Sequence, residues 1–515
     1  MSSKTSVKVL SNTLSLYGKM IITTLVSLYL TRVVLAYLGT NDFGLYNLIG
    51  GVIALLSFLN SAMMVSVQRY LSVAIGENDI QKVHTVFSTS IYIHIFLTVF
   101  LVVLIELCSL FLFEGFLNIE PSKIPAAKIV YHLMAISTGL TILGVPYNAM
   151  INAKEDLWLF ALIESICAVL KVGIIFIFQH AKTDALITYT LWILVITALN
   201  FLLKYLWCKI KYIECKKVFA KKCNLPLLKE LLGFSGWNAF GTLAMVGRNQ
   251  GVAFVLNIFW GTAVNAVYGI ANQVNSQLIY FSTMMTTSVT PQIMKSYGEG
   301  NHVRMLSLSI FTCKLSFYLS AVFALPLLLE LPFVLEVWLK EVPENTEIFC
   351  TLILYMFLIM QLYPGIGRAI QSSGKIRAYQ VYTSIVLLLP VPLGLLLGKL
   401  GFESYTILYL MIASQIVQMF VAVFIARVRV GLDVMAFLWF VCKSIIVFVL
   451  VYGSGYYIHN SLIKSCNPVF TFFITISSVA ILYSILYYLF VLNKEDKIRI
   501  NNLVITLLKK FRLLK

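Results

Sequence analysis

Fourteen apolar stretches, each close to the roughly 20 residues a helix needs to cross a bilayer, run almost end to end along this chain. They fall near residues 14–38, 43–67, 85–112, 127–151, 157–178, 185–207, 232–258, 264–290, 306–329, 348–371, 378–398, 404–426, 435–457 and 468–491. Turn formers punctuate them, among them Gly39, Pro121, Pro125, Gly298, Gly300, Pro343, Gly374 and Pro468. No gap between them could hold a soluble domain of usual size. Composition agrees, with 60% hydrophobic and 12% charged residues, against about 45–50% and about 25% in a soluble domain. The expectation is an all-α integral membrane protein of about 14 transmembrane helices.

The charge pattern sets the orientation. Of the 39 Lys and Arg, 27 fall on the side that an even number of spans gives to both termini. Six fall in the opposite loops and six within the spans. This asymmetry predicts cytoplasmic termini and accounts for the net charge of +17 without nucleic acid. The acidic loop 330–347 suits the outside. Lys4 and Lys8 precede the first apolar run, but no small-residue cleavage site follows, so that run reads as a retained helix. Residues 504–515 read as a basic amphipathic helix on the inner surface.

The chain also repeats itself. AYLGTNDFGLYNLIGG (36–51) returns as IFWGTAVNAVYGIANQ (258–273), with Gly39, Thr40 and Tyr46 each 222 positions before Gly261, Thr262 and Tyr268. The register continues without a gap: Met63 meets Met285, Ser66 meets Ser288, and Gly76–Glu77 meet Gly298–Glu299. A weaker echo pairs 148–166 with 368–385 and places a Lys in the turn after each half's fourth helix. Six helices per half is an even number, so the halves point the same way, as in transporters built from parallel repeats with substrate bound near mid-membrane. The predicted organisation is two parallel six-helix bundles, 1–215 and 216–430, related by a pseudo-two-fold along the membrane normal. Two additional helices over 431–492 and a basic tail over 493–515 follow.

This layout resembles the multidrug/oligosaccharidyl-lipid/polysaccharide exporter superfamily. LGTNDFGLYNL (38–48) resembles the LG–x–x–x–FG–x–Y pattern of its polysaccharide-transporter, or Wzx-type flippase, branch. RYLSVAIGENDIQKV (69–83) and TPQIMKSYGEGN (290–301) resemble the two cytoplasmic turns. The resemblance implies a flippase for undecaprenyl-diphosphate-linked oligosaccharide, of O-antigen or capsule type, working by alternating access. Its partners would be that substrate, membrane lipids and other glycan-assembly membrane proteins. Relatives flip lipid II or export drugs, so a cation-coupled multidrug exporter stays open as an alternative. A membrane glycosyltransferase or glycan polymerase is the alternative of another class, against which the short outside loops and the repeat both argue.

Charge inside a bilayer costs about 2.5–3.5 kcal/mol per residue on insertion scales and marks function by default. Lys19 and Arg32 lie in the first span and Arg248 in the seventh, the equivalent first helices of the two halves. A diphosphate headgroup would want arginine there, because guanidinium grips phosphate oxygens in a fork. Snorkelling to an interface is the competing expectation, above all for Arg32. Lipid II flippases carry cations in their first helices, which supports the pattern without assigning positions. Asn249 and Asn272 make the seventh and eighth spans polar, and such amides could meet sugar hydroxyls or neighbouring helices. Glu164 and Lys171, seven apart in the fifth span, are expected to pair through water or with other helices. Glu106 in the third span is, with Glu164 and Lys171, a candidate for ion coupling, either Glu being able to take a coupling proton. His94 and His132 read as packed or hydrogen-bonded. Cys208, Cys215 and Cys223 have poor spacing for zinc, so no metal is expected. There is no P-loop, HExxH or GxSxG pattern, so neither cofactor nor enzymatic step is expected.

Overall fold

The computed structural model describes residues 3–54, 58–113, 121–174, 184–216, 224–463 and 468–501. The side chains of residues 3–10, of Arg32 and of several of its neighbours lie outside that description, as do Cys223, Lys464 and the tail beyond residue 501. The described helices are α1 (Ser3–Ala54), α2 (Phe58–Gly76), α3 (Ile80–Phe111), α4 (Ile124–Ala153), α5 (Leu157–Val172), α6 (Ala185–Lys211), α7 (Leu225–Gly298) and α8 (His302–Leu329). Then come α9 (Leu331–Leu339), α10 (Thr346–Met360), α11 (Pro364–Ser372), α12 (Arg377–Leu388), α13 (Pro390–Lys399), α14 (Thr406–Val430), α15 (Val434–Ile463) and α16 (Pro468–Phe490).

The all-helical expectation holds, and the fourteen expected spans map onto these helices in order. Breaks at glycine divide α1 and α7 into two limbs each, and the second limb of α1 runs toward α2. The pairs α10–α11 and α12–α13 each supply one span, the former bent by 41°. Short α9 lies in the loop after α8.

The repeat is visible in the backbone. Gly39 has φ 73° and ψ 172°, and Gly261 has φ 82° and ψ −175°. That region is essentially reserved for glycine, which is why the corner needs Gly in both halves. Asn78 and Gly300, again 222 apart, are both left-handed, at φ 57° and 71°. The residue after each caps the next helix: Asp79 accepts from the Lys82 amide and Asn301 from the Arg304 amide, both at 2.9 Å. The echo after the fourth helix shifts by one. Its left-handed residues are Glu155 (φ 63°) and Gly374 (φ 78°), a spacing of 219 rather than the 220 of the sequence pairing. The helices α4 and α11 end at Ala153 and Ser372 with that same spacing, so the turn's backbone is repeated while its lysines take different places.

The chain divides into two compact units. The first is Ser11–Ala239 with Gly298–Gly300. Here α4 packs against α2, α3 and α6, and α5 against α6. Its cores centre on Leu71, Phe87 and Met150 and on Ile49, Val130 and Tyr131. The second unit is Met1–Leu10, Phe240–Tyr297 and Asn301–Lys515. In it α8 packs against α11, α15 and α16, and α14 against α10 and α12, around Val255, Phe349, Ile353 and Ile407. A Cβ on Gly365 would fall 2.0 Å from the Ser309 carbonyl oxygen, so glycine sets the close approach of α11 to α8.

Candidate functional site

Each unit holds a buried polar cluster that includes a cation singled out by the sequence. In the first, α5 presents Phe160 and Glu164 and α6 presents Asn200 and Lys204. Both pairs are four residues apart and so share a helix face. Lys204 Nζ lies 2.5 Å from Glu164 Oε1, and Asn200 Nδ2 donates to the same oxygen at 3.2 Å. Lys19 reaches in from α1, its Nζ 4.6 Å from the Phe160 ring centroid. Lys204 Nζ stands 4.7 Å from the same ring, in cation–π range for both. Lys19 is also within electrostatic reach of Glu164. Two ammonium groups thus share one carboxylate, and the cluster carries one surplus positive charge.

Of the two expectations for Glu164, the structure shows pairing with another helix: its partner is Lys204 of α6, and Lys171 forms no ion pair among the described residues. Lys204 is one of the 27 basic residues that the charge pattern assigns to the side of the termini rather than to a span, yet α6 runs on to Lys211 and buries Lys204 to 2% exposure. Three turns of apolar α6 precede it, and Asn200 one turn before it was the available signal. Further along, the basic residues serve local pairs: Lys211 with Asp156 at 2.8 Å and Lys154 with Glu214 at 2.6 Å. Cys208 and Cys215 are free, buried thiols. Burial and the Asp156 carboxylate, which accepts from its hydroxyl at 2.6 Å, push the Tyr212 phenol well above its usual range.

Glu106 pairs with His132 Nδ1 at 2.7 Å on a well-exposed face of α3 and α4. Buried His94 is tied through Nδ1 to the Ser90 carbonyl at 2.6 Å. Arg32 has its backbone in α1 and its side chain outside the described set.

In the second unit, Arg248 lies in the first limb of α7, about 20 Å along the axis from the Gly261 corner at 1.5 Å per residue. It is 8% exposed. Nε and Nη2 both donate to Asn249 Oδ1, at 3.1 and 2.9 Å. Its electrostatic neighbours are the phenols of Tyr268 and Tyr363, and Gln415 Nε2 donates to the Tyr363 hydroxyl. Among the described residues no carboxylate comes within ion-pair distance. Asn272 donates to the Tyr268 carbonyl one turn back at 3.0 Å, which spends one amide proton on its own helix.

The two clusters occupy one scaffold differently. Lys19 corresponds through the 222-residue repeat to Gly241, and Phe160, counted from the first residues of α5 and α12, Leu157 and Arg377, corresponds to Gln380. There too the first and fifth helices of the half touch, since a Cβ on Gly241 would meet Gln380 Oε1 at 2.1 Å. Arg248 corresponds to Val26. The backbone contact is repeated and the charge is not.

No protein-family model matches the sequence, and no curated protein matches it. Solved structures do. A MATE protein crystallised in complex with MaL6 matches with TM-score 0.68 at 14% identity, over 83% of this chain and 96% of that one. A multidrug resistance MATE family transporter of the MOP superfamily, in its outward-facing conformation, matches with TM-score 0.67 at 16% identity over the same shares. The chain has the MATE fold. A MOP superfamily transporter from Pyrococcus furiosus, whose description assigns it a binding pocket of reverse polarity and suggests a different function, matches with TM-score 0.66 at 15% identity, again over 83% and 96%. At such identities the likeness is one of fold. It leaves the chemistry of the MATE scaffold in this chain to its own residues.

Proposed function

We propose that this chain is a bacterial inner-membrane flippase. It moves undecaprenyl-diphosphate-linked oligosaccharide, an O-antigen or capsule repeat unit, by alternating access, with both termini in the cytoplasm. The observation that carries the proposal is Arg248: a buried guanidinium midway along a membrane helix, held by one amide oxygen and facing phenols, with no described carboxylate. A buried charge left unpaired is costly. A diphosphate supplies the missing counter-charge, and its oxygens fit the guanidinium fork. In the first unit Lys19 supplies a further cation beside Glu164, and Glu164, already neutralised by Lys204, is the candidate for a coupling proton. Of the earlier coupling candidates, Glu106 and Lys171 gain no support from their surroundings.

The fold also fits a cation-coupled multidrug exporter, since one similar structure is a multidrug resistance transporter. The buried charges weigh against it: the surplus is positive in both clusters, and an organic cation would be repelled. A glycan-transferring enzyme would form a new glycosidic bond when incubated with lipid-linked donor.

The test is a deletion strain. Loss of surface glycan, with finished lipid-linked precursor trapped on the cytoplasmic face, supports the flippase. Normal surface glycan with new sensitivity to cationic drugs supports the exporter.

A further inference from the structure

A second arginine shares the condition of Arg248. Arg368 stands at the end of the 348–371 stretch and is one of the 27 basic residues that the charge pattern assigns to the side of the termini, but it lies on α11, six residues before the Gly374 turn, or about 9 Å along the helix axis. It is half-buried. Its Nη1 donates to Gln371 Oε1 at 2.9 Å, and among the described residues it has no carboxylate within ion-pair distance. The Tyr379 phenol of α12 stands beside it, at a spot kept open by Gly367, where a Cβ would come to 3.1 Å from the Tyr379 hydroxyl.

The two arginines are joined by phenols. Tyr363, at the start of α11, lies within electrostatic reach of both Tyr379 and Arg248, and Tyr379 reaches Arg368. The line Arg248–Tyr363–Tyr379–Arg368, flanked by the amides of Gln415 and Gln371, contains two positive charges and no described negative one. Phenols and amides donate to phosphate oxygens as guanidinium does, so every group on the line suits one ligand chemistry. A structural arginine would be expected to take a carboxylate partner here, as Lys314 does with Asp496 at 2.5 Å in the same unit.

We propose that Arg368 forms a second phosphate-binding subsite, which takes the diphosphate at the cytoplasmic side and passes it along Tyr379 and Tyr363 to Arg248. The proposal rests on the flippase reading. The phosphate could equally belong to an ordinary membrane phospholipid, and the test separates the two sources.

The purified full chain is placed in nanodiscs of zwitterionic lipid, and farnesyl diphosphate binding is measured for the wild type, Arg368→Gln, Arg248→Gln and Tyr379→Phe. Losing a charge-assisted contact should weaken binding roughly ten- to a hundredfold in Arg368→Gln and several-fold in Tyr379→Phe. Normal binding by Arg368→Gln alongside a loss in Arg248→Gln overturns the subsite and leaves the flippase reading standing. No binding by the wild type overturns both. If phosphatidylglycerol in the nanodisc abolishes the difference between wild type and Arg368→Gln, the site belongs to lipid headgroups and the substrate assignment fails. Should Arg368→Gln not purify as a folded protein, Arg368→Lys, which keeps the charge but not the fork, takes its place with a smaller loss expected.

Discussion

Replacing Lys204 with methionine tests whether the first-unit cluster is the interlocked group that the geometry describes. At 2.5 Å, two unit charges at an effective dielectric of about 20 attract by about 7 kcal/mol. Desolvation offsets much of this, so removing one partner of such a pair costs about 3–5 kcal/mol. The Lys204→Met cost should fall at the lower end, because Glu164 keeps Asn200 at 3.2 Å and Lys19 nearby. The lost cation–π contact with Phe160 adds about 0.5–2 kcal/mol. Removing both charges should be far milder, since replacing a buried pair by apolar groups is often neutral or stabilising. The assay is thermal unfolding in detergent of Lys204→Met, Glu164→Leu and the double variant, taken as a double-mutant cycle. The expected order is wild type, then the double variant, then Lys204→Met, with Glu164→Leu the least stable because it strands both Lys204 and Lys19. Additive losses, or a Lys204→Met protein as stable as the wild type, would refute the interlock.

Four further outcomes follow from the structure. Arg248→Ala should abolish transport of lipid-linked glycan in reconstituted vesicles while membrane insertion and melting temperature stay level or rise, because no described carboxylate is orphaned; a normal transport rate would defeat the diphosphate clamp. Gly39→Ala and Gly261→Ala should each destabilise by about 1–3 kcal/mol, through backbone strain alone, since nothing lies within 4 Å of either added Cβ; equal melting losses in the two variants check the equivalence. Asp496→Asn should cost about 3–5 kcal/mol by stranding buried Lys314, read as a lower unfolding midpoint that Lys314→Met restores in the double variant. Ser309→Ala leaves the Gly365 contact intact, because that contact uses the Ser309 carbonyl, whereas Gly365→Ala should force α11 from α8 and lose expression or stability.

Much of the fold was legible because hydropathy and turn chemistry act locally. The fourteen spans, the Gly39 and Gly261 corners and the Asp79 and Asn301 caps each depend on a few adjacent residues. The buried clusters were only half legible. Arg248 announced itself as a charge within an apolar run. Lys204 and Arg368 did not, because each sits where an apolar run gives way to basic residues, and hydropathy cannot tell the last buried turn of a helix from the first exposed one. Glu164 finds its partner 40 residues away on another helix, a relation that spacing along α5 does not contain. The sequence echo at 148–166 and 368–385 slipped by one residue because it followed side chains, whereas the turn is matched by its left-handed residue.

The paired corners make the chain its own control. A position in the first helices of one half has a counterpart 222 residues on that shares its backbone but not its chemistry, so a substitution can be run twice in the same molecule. Val26→Arg combined with Arg248→Val would transplant the cation from one copy of the first helix to the other while leaving composition and net charge untouched. Whether such a protein still carries its substrate would separate what the duplicated scaffold supplies from what the placement of a single charge supplies.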